Sequence, residues 1–394
     1  MNFDDITIDQ LRSSGNLKWA GSPDSIGMFV AEMDLGLAEP IRRVLRQYAD
    51  SPGIGYRSAS AKRDLQEATA GWLAKNTAWA PRPEQVRAVP DVVSSARVVL
   101  DQLTTPGSPA ILPTPAYMGF TSLIPAMGRE MIEVPCVLEG GRYRLDLDGI
   151  RAGFERGAQA LMLVNPANPT GRVYTREELR ELSEVVAEFP DAIVFSDDIH
   201  APLVLEGEHI PYASVSEVAA SHTVTAVAAS KGWSIPGLKC AQLVISNPDH
   251  VRRLEPYLGW ADSITSTVGA AAAVAAYTEG EAWRAALLDY LRGNRDLFAA
   301  AVAGWPGVWA PHIEGTYIGW LDFTDALEAG ALADRGGSVG GKQIAEWLAE
   351  HTGVVLTPGA ACGKGYEAFA RIILATPRPI LEDALGRMTA ALEG

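Results

Sequence analysis

The chain has 394 residues, 47% of them apolar, and a formal net charge of -15. That length suits two or three domains, or one large α/β domain with an appendage, and the apolar share is ample for a sizeable core. The negative balance repels phosphate backbones and anionic membrane surfaces, which argues against a nucleic-acid partner, and glycine and proline are too scattered for a disordered chain.

Met1–Ile8 carries two aspartates and none of the basic, apolar pattern of a secretory signal. A short apolar strand is expected over Ala110–Pro113, ending in Pro-Thr-Pro, and another over Ala160–Val164, ending in Asn-Pro. Thr175–Phe189 reads as an amphipathic helix with Thr175 as N-cap and Glu178 completing a capping box. Further strands are expected over Ala192–Ser196, Thr223–Ala228 and Ala241–Ser246. Near-continuous apolar strands separated by helices indicate a mostly parallel sheet covered on both faces. The run of small residues Val268–Tyr277 is far shorter than the ~20 residues of a membrane helix, so no membrane partner is expected and the protein is read as soluble and cytoplasmic. After about Ala276 the pattern changes to a long helix, Glu281–Ala303, a strand within Gly315–Phe323, a helix over Lys342–His351, a strand over Arg371–Ala375 and a last helix from about Ile380. This reads as a smaller α+β domain. Gly336–Gly341 is expected to be a mobile loop, and Ala333–Gly341 either gates the site or merely connects elements. Cys136, Cys240 and Cys362 are odd in number and lack CxxC spacing, so three buried free thiols are expected.

In open α/β sheets ligands bind at the carboxyl ends of the strands. Asn168, Asp197 and Lys231 all follow strand ends and would share one rim. The loop Asn165-Pro-Ala-Asn168-Pro-Thr-Gly171 has two Asn-Pro steps, which make it rigid enough to fix an amide side chain. Asp197-Asp198-Ile199-His200 would cap the next element or bind a metal; a metal needs more ligands than His209, the nearest further candidate, supplies, and none is expected. A buried aspartate there needs a cationic partner to stay ionised. Ala228-Ala-Ser-Lys231-Gly-Trp-Ser-Ile-Pro-Gly-Leu-Lys239 places a hydroxyl and two amines just after a strand.

Taken in order, Asn-Pro-x-Asn-Pro-Thr-Gly, Asp-x-x-His, Ser-Lys and Arg371-Ile resemble fold-type I pyridoxal-phosphate (PLP) enzymes of the class I/II aminotransferase superfamily. Val30-Ala-Glu-Met-Asp34, Ser196-Asp-Asp-Ile-His200 and Thr357-Pro-Gly-Ala-Ala361 resemble its MalY/PatB-type cystathionine β-lyase group. The resemblance covers nearly the whole chain. It implies a mostly parallel seven-stranded sheet flanked by helices, in a large PLP-binding domain over 48–277, with a small α+β domain from 1–47 and 278–394. It also implies that Lys231 holds PLP as a Schiff base and then acts as general base, and that Asp197 pairs with the pyridine nitrogen. Asn168 and His200 would contact the ring hydroxyl oxygen, and Tyr117 would stack on the ring. Val93 and Ser94 would offer backbone N–H groups to the phosphate, completed by Ser230 and Lys239. Tyr56 would reach the phosphate of a neighbouring subunit in a homodimer. Arg371, beside Asn168, would grip the carboxylate of a small amino-acid substrate.

Lys239 stands where aminotransferases usually have arginine and lacks the bidentate fork. Ala228 lacks a hydroxyl often found three residues before the lysine, and Glu32 and Asp198 vary the acidic motifs. The implied reaction is α,β-elimination of cystathionine or another cysteine S-conjugate to thiol, pyruvate and ammonia. An aminotransferase on the same scaffold, a regulatory partner-binding protein that retains PLP, and an unrelated α/β binding protein are the rivals. Arg57 is a candidate for a substrate side-chain carboxylate or an interface charge, and Tyr117, Trp233 and Tyr317 for contacts to a thioether.

Overall fold

The computed structural model describes residues 2–329 and 344–393. The loop expected at Ala333–Gly341, including Gly336–Gly341, lies outside them. All five expected central strands form, as Ala110–Thr114, Ala160–Val164, Ile193–Asp197, Thr223–Val227 and Ala241–Ile245. Two more complete a seven-stranded sheet. Its order is Val86–Val89, Ala241–Ile245, Thr223–Val227, Ile193–Asp197, Ala160–Val164, Ala110–Thr114, Met131–Pro135. Only Ala241–Ile245 runs against the others, being antiparallel to both its neighbours while the remaining pairs are parallel. The two strands absent from the sequence reading are the edges. Edge strands tolerate charge and proline; Val86–Val89 contains Arg87, and Met131–Pro135 contains Glu133 and ends in proline.

Register places the chemistry. Asp197 lies opposite Val164 on one side and Ala226 on the other, so the carboxyl ends of three strands meet at one rim. Between them, the helix Arg176–Ala187 carries the expected capping box: Glu178 N–H donates to Thr175 Oγ1 at 3.2 Å and Thr175 N–H to Glu178 Oε2 at 2.8 Å. A cap of this kind contributes about 1 kcal/mol.

The C-terminal region holds the helix Glu281–Gly304 and a three-stranded antiparallel sheet. Phe369–Ile373 is its middle strand, between Ile318–Asp322 and Thr357–Pro358, and Arg371 faces Trp320 and Thr357 in register. The N-terminus joins this region, since Ile26–Gly27 pairs in parallel with Val354–Val355. Gly27 is obligatory there: a Cβ would lie 1.9 Å from Lys18 O, where the turn Leu17–Trp19 presses on the strand. From Gly27 a strap, Phe29–Asp34, crosses to the rim of the large sheet.

Cys240 and Cys362 are buried as expected, whereas Cys136 is partly exposed; all three are free. Trp233 belongs to the core, its Nε1–H donating to Gly280 O at 3.1 Å, and so does not serve the thioether role considered for it. Among the described residues no helix is long and apolar enough to cross a membrane.

Candidate active site

A cavity of about 540 Å³ opens at the carboxyl rim of the sheet, a size typical of a cofactor or small-ligand site. Its wall brings together Val93, Ser94, Tyr117, Asn168, Asp197 and His200, with Ser230, Lys231 and Lys239 on the other side. Nine of the expected site residues are thus in one place. Arg371 stands just behind the wall, donating from Nη1 to Asn168 Oδ1 at 3.2 Å. Tyr56 is 95% exposed and contributes nothing to the cavity of its own chain.

Lys231 sits in the single helical turn Ala229–Gly232 that follows the strand Thr223–Val227. Its Nζ donates to Ala31 O at 2.7 Å. Burial, with the Arg371 cation nearby, lowers its pKa from 10.5 to about 8, so a sizeable neutral fraction exists near neutral pH. Asp197 is buried, accepts Ile199 N–H at 3.1 Å, and has no ion-pair partner among the described residues. Burial raises its pKa from 3.8 to about 7, the adjoining Asp198 adds to the shift, and the Ile199 N–H and Lys231 oppose it. His200 is held well below 6.5 by burial and by the Lys231 and Arg371 cations, and its buried Nδ1 has no partner among the described residues. It is therefore a neutral imidazole. Tyr117 N-caps the helix Met118–Ala126 and packs edge-on against Phe120; burial and the nearby Asp197 raise its pKa, so it remains a phenol.

Arg371 is buried in the middle of its strand. Nη2 donates to Phe29 O at 2.8 Å and to Thr357 Oγ1 at 3.3 Å, Nε has no partner, and no carboxylate pairs with it among the described residues. A buried cation without an anion is costly, and a substrate carboxylate would compensate it. Because Arg371 occupies Asn168 Oδ1, the amide of Asn168 is turned with its NH₂ free to donate.

At the opposite end of the cavity, the helix Val92–Leu103 begins. Here the sequence reading needs a correction. Ser94 N–H is not free, because it donates to Asp91 Oδ1 at 2.8 Å; Val92 and Val93 keep unpaired N–H groups among the described residues. Asp91 was not foreseen, although Asp-x-x-Ser before an apolar run is an N-cap signal. Its other oxygen lies 3.5 Å from Lys239 Nζ.

Asp198 points away from the cavity, accepting Ser196 Oγ–H at 2.5 Å and bonding His209 Nε2 at 2.8 Å. The acidic motif is thus a buried hydrogen-bonded pair, and no metal-capable cluster of three side chains occurs among the described residues. Arg57 is committed through Nη2 to Asp262, at 2.6 Å from Oδ1, and is absent from the cavity wall. Tyr317 lies behind Lys231, edge-on to His200, with its hydroxyl on Ala31 O at 2.9 Å.

Comparison with known proteins agrees with this arrangement. The model of the family "Aminotransferase class I and II" matches residues 32–387. The chain is 35% identical to a cystathionine beta-lyase of Corynebacterium glutamicum, over 98% of this chain and 99% of that one. It is 29% identical to the cystathionine beta-lyase PatB of Bacillus subtilis over the full length of both. The crystal structure of cystalysin from Treponema denticola, which contains a pyridoxal 5'-phosphate cofactor, superposes with a TM-score of 0.89 at 26% identity, over 100% of this chain and 99% of that one. With the strand order, the lysine after its strand and the match spanning nearly every element described, the chain belongs to the aminotransferase class I and II family.

Proposed function

We propose that this chain is a PLP-dependent carbon–sulfur β-lyase that eliminates the thiol from cystathionine or another cysteine S-conjugate, yielding pyruvate and ammonia. One observation carries the reading. A buried carboxylate without a cation and an amine of lowered pKa line one cavity, and a buried guanidinium without an anion stands behind its wall, bonded to Asn168 of the lining. A cationic pyridine ring, a substrate carboxylate and an aldehyde carbon are the three missing partners, so the residues fit PLP and an amino acid together.

PLP, when bound, supplies an electron sink for the charge released at the substrate Cα. The protein does the rest. Lys231 would hold the cofactor and serve as the base for the substrate Cα proton; a pKa of about 8 suits both tasks. Asp197, buried at the rim with no ion-pair partner among the described residues, would pair with the ring nitrogen and favour its protonated form. Asn168 and neutral His200 would hold the ring oxygen, and Tyr117 would cover the ring. The Val92 and Val93 N–H groups at a helix N-terminus, with Ser230 and Lys239, would hold the phosphate. Arg371 fixes the carboxylate, which orients the Cα–H bond.

Replacing Arg371 by alanine should raise KM for the amino acid ~10- to 100-fold, on the scale of a charge-assisted hydrogen bond. Steady-state kinetics check this, and an unchanged KM would remove Arg371 from carboxylate binding.

The elimination half of the reading rests on the likeness to cystathionine β-lyases, because the same geometry also serves transamination. Purified holoprotein given L-cystathionine without a keto acid should release pyruvate and free thiol together. If turnover appears only with a keto acid, and a new amino acid forms, the chain is an aminotransferase.

The same reading includes a cytoplasmic homodimer, for which free thiols suit a reducing compartment. Ile54, Tyr56, Trp260 and Ile264 are exposed at 63, 95, 56 and 46%. They share one surface, because Arg57 pairs with Asp262 and Thr267 Oγ1 donates to Gly55 O at 2.9 Å. An apolar patch of this kind suits a subunit contact and would bring Tyr56 to the second copy's phosphate. Sedimentation should show a dimer; a fully active monomer would refute it. The division into 48–277 and the two flanking pieces is part of the proposal, supported by the seven-stranded sheet falling within 86–245 and the three-stranded sheet within 318–373.

A further inference from the structure

The strap Phe29–Asp34 gives its carbonyls to side chains from distant parts of the chain. Phe29 O accepts from Arg371 Nη2 and Thr357 Oγ1, each at 2.8 Å. Ala31 O accepts from Lys231 Nζ at 2.7 Å and Tyr317 OH at 2.9 Å. Glu32 O accepts from Lys18 Nζ at 3.4 Å, and Met33 O from Ser234 Oγ at 3.0 Å. One short segment therefore touches both the amine that handles the proton and the guanidinium that handles the carboxylate.

Its two ends are fixed differently. Before the strap, Met28 N–H donates to Val355 O at 2.8 Å and Met28 O accepts from Ile373 N–H at 2.9 Å, as an extension of strand pairing. At the far end Asp34 N–H donates to Ala375 O at 2.9 Å, and its carboxylate accepts Lys18 Nζ at 2.6 Å and Trp19 Nε1–H at 2.8 Å. The side chains of this ion pair are 0% and 3% exposed. A buried ion pair is often no more stabilising than apolar residues of the same volume. What it adds here is direction: Asp34 has one place to sit, and so does the strap.

We propose that the buried Lys18–Asp34 pair is a positioning device for the reaction, fixing the strap so that Ala31 O and Phe29 O hold the Lys231 amine and the Arg371 guanidinium in place. The proposal rests on the roles given above to those two residues. It makes a joint signature. A strap that shifts loosens both groups together, and a displacement of ~1 Å at a reacting group is worth about 10²-fold in rate. Ala31 O stabilises the charged form of the Lys231 amine, so losing it favours the neutral form and lowers the pH midpoint of Lys231. The other groups facing Lys231 are Arg371, Asp197 and Lys239, which the variants below leave in place, and Glu32, which rides on the strap and raises the Lys231 pKa, so that its withdrawal acts in the same direction as loss of Ala31 O.

The test is the double change Lys18→Met with Asp34→Asn, which removes both charges and keeps an acceptor for Trp19. In the holoenzyme it should raise KM for L-cystathionine and lower kcat, each by about tenfold, the scale of a partial misplacement. The pH midpoint of the cofactor–lysine absorbance should move with them. In cofactor-free protein, the pH profile of Lys231 acylation by an amine-reactive anhydride should shift to lower pH. Ser234→Ala, which strands no charge, should move the same readouts in the same direction by less, and it decides the matter if the double variant does not fold. Folded variants with the wild-type KM and labelling profile would overturn the proposal. If the wild-type holoprotein lacks a Lys231-dependent absorbance, the reading of the site fails instead, and the labelling profile of Lys231 still decides the strap.

Discussion

Lys231→Ala should abolish turnover, with a loss of at least ~10⁴-fold in kcat, because general-base help alone is worth up to about that factor and the covalent hold on the cofactor is lost with it. The protein should still fold. Lys231 is partly exposed, but desolvation lowers its pKa to about 8, so its amine is a cost to the native state rather than a support. Absorbance of the cofactor–lysine adduct should vanish while PLP still binds non-covalently through the phosphate end of the cavity. Retained activity in a variant of confirmed mass would remove Lys231 from the mechanism.

Asp197→Asn has two opposite consequences, which makes it the more discriminating change. In the holoenzyme it would remove the anion proposed to keep the ring nitrogen protonated, and kcat should fall ~10³-fold, as for loss of a well-placed electrostatic stabiliser. In the cofactor-free protein it should be stabilising. The folded-state pKa of about 7 lies above the ordinary 3.8. The unfolded chain therefore gives up this proton first. The contribution of protonated Asp197 is fully present below pH 3.8 and is lost as pH rises through 7. Asparagine never ionises, so thermal melts of the variant should match wild type near pH 4 and exceed it above pH 7, by a few kcal/mol at most. Equal melting across that range would mean that the ligand-free cavity already supplies a partner for the carboxylate.

Much of the large sheet was legible because its central strands are buried on both faces. Ala160–Val164 and Thr223–Val227 are unbroken apolar or β-branched runs, each stopped by a polar signal. The same stops are the site, since Asn165–Gly171, Asp197–His200 and Ser230–Lys231 are polar where a strand must end. The capping box at Thr175 is a local pattern and was equally plain. Edge strands were not, because one exposed side relaxes the composition that marks a strand. Nor was the strap. Its contacts to Lys231 and Arg371 are made by backbone carbonyls, which every residue has and no sequence pattern displays. Lys18 and Asp34 are 16 positions apart in irregular chain, where no periodicity announces a pair. Asp91 is harder to read, because an aspartate before a helix serves equally as a turn residue and as a cap, and only the bond from Ser94 N–H to its Oδ1 distinguishes them.

The strap also dictates when in the life of a molecule the site can exist. Phe29 and Arg371 are 342 positions apart, and Ala31 and Lys231 are 200 apart. A chain leaving the ribosome can close its seven-stranded sheet once Ile245 has emerged, and it then possesses Lys231 and Asp197. Its first thirty-odd residues have no partner strand until Val354–Val355 arrive, and the carboxylate grip waits for Arg371. Contacts of such long separation form late. A nascent chain of this protein therefore acquires the lysine of the proposed cofactor site well before the arginine of the proposed substrate clamp, and the two are joined through Ala31 and Phe29 only after both are made.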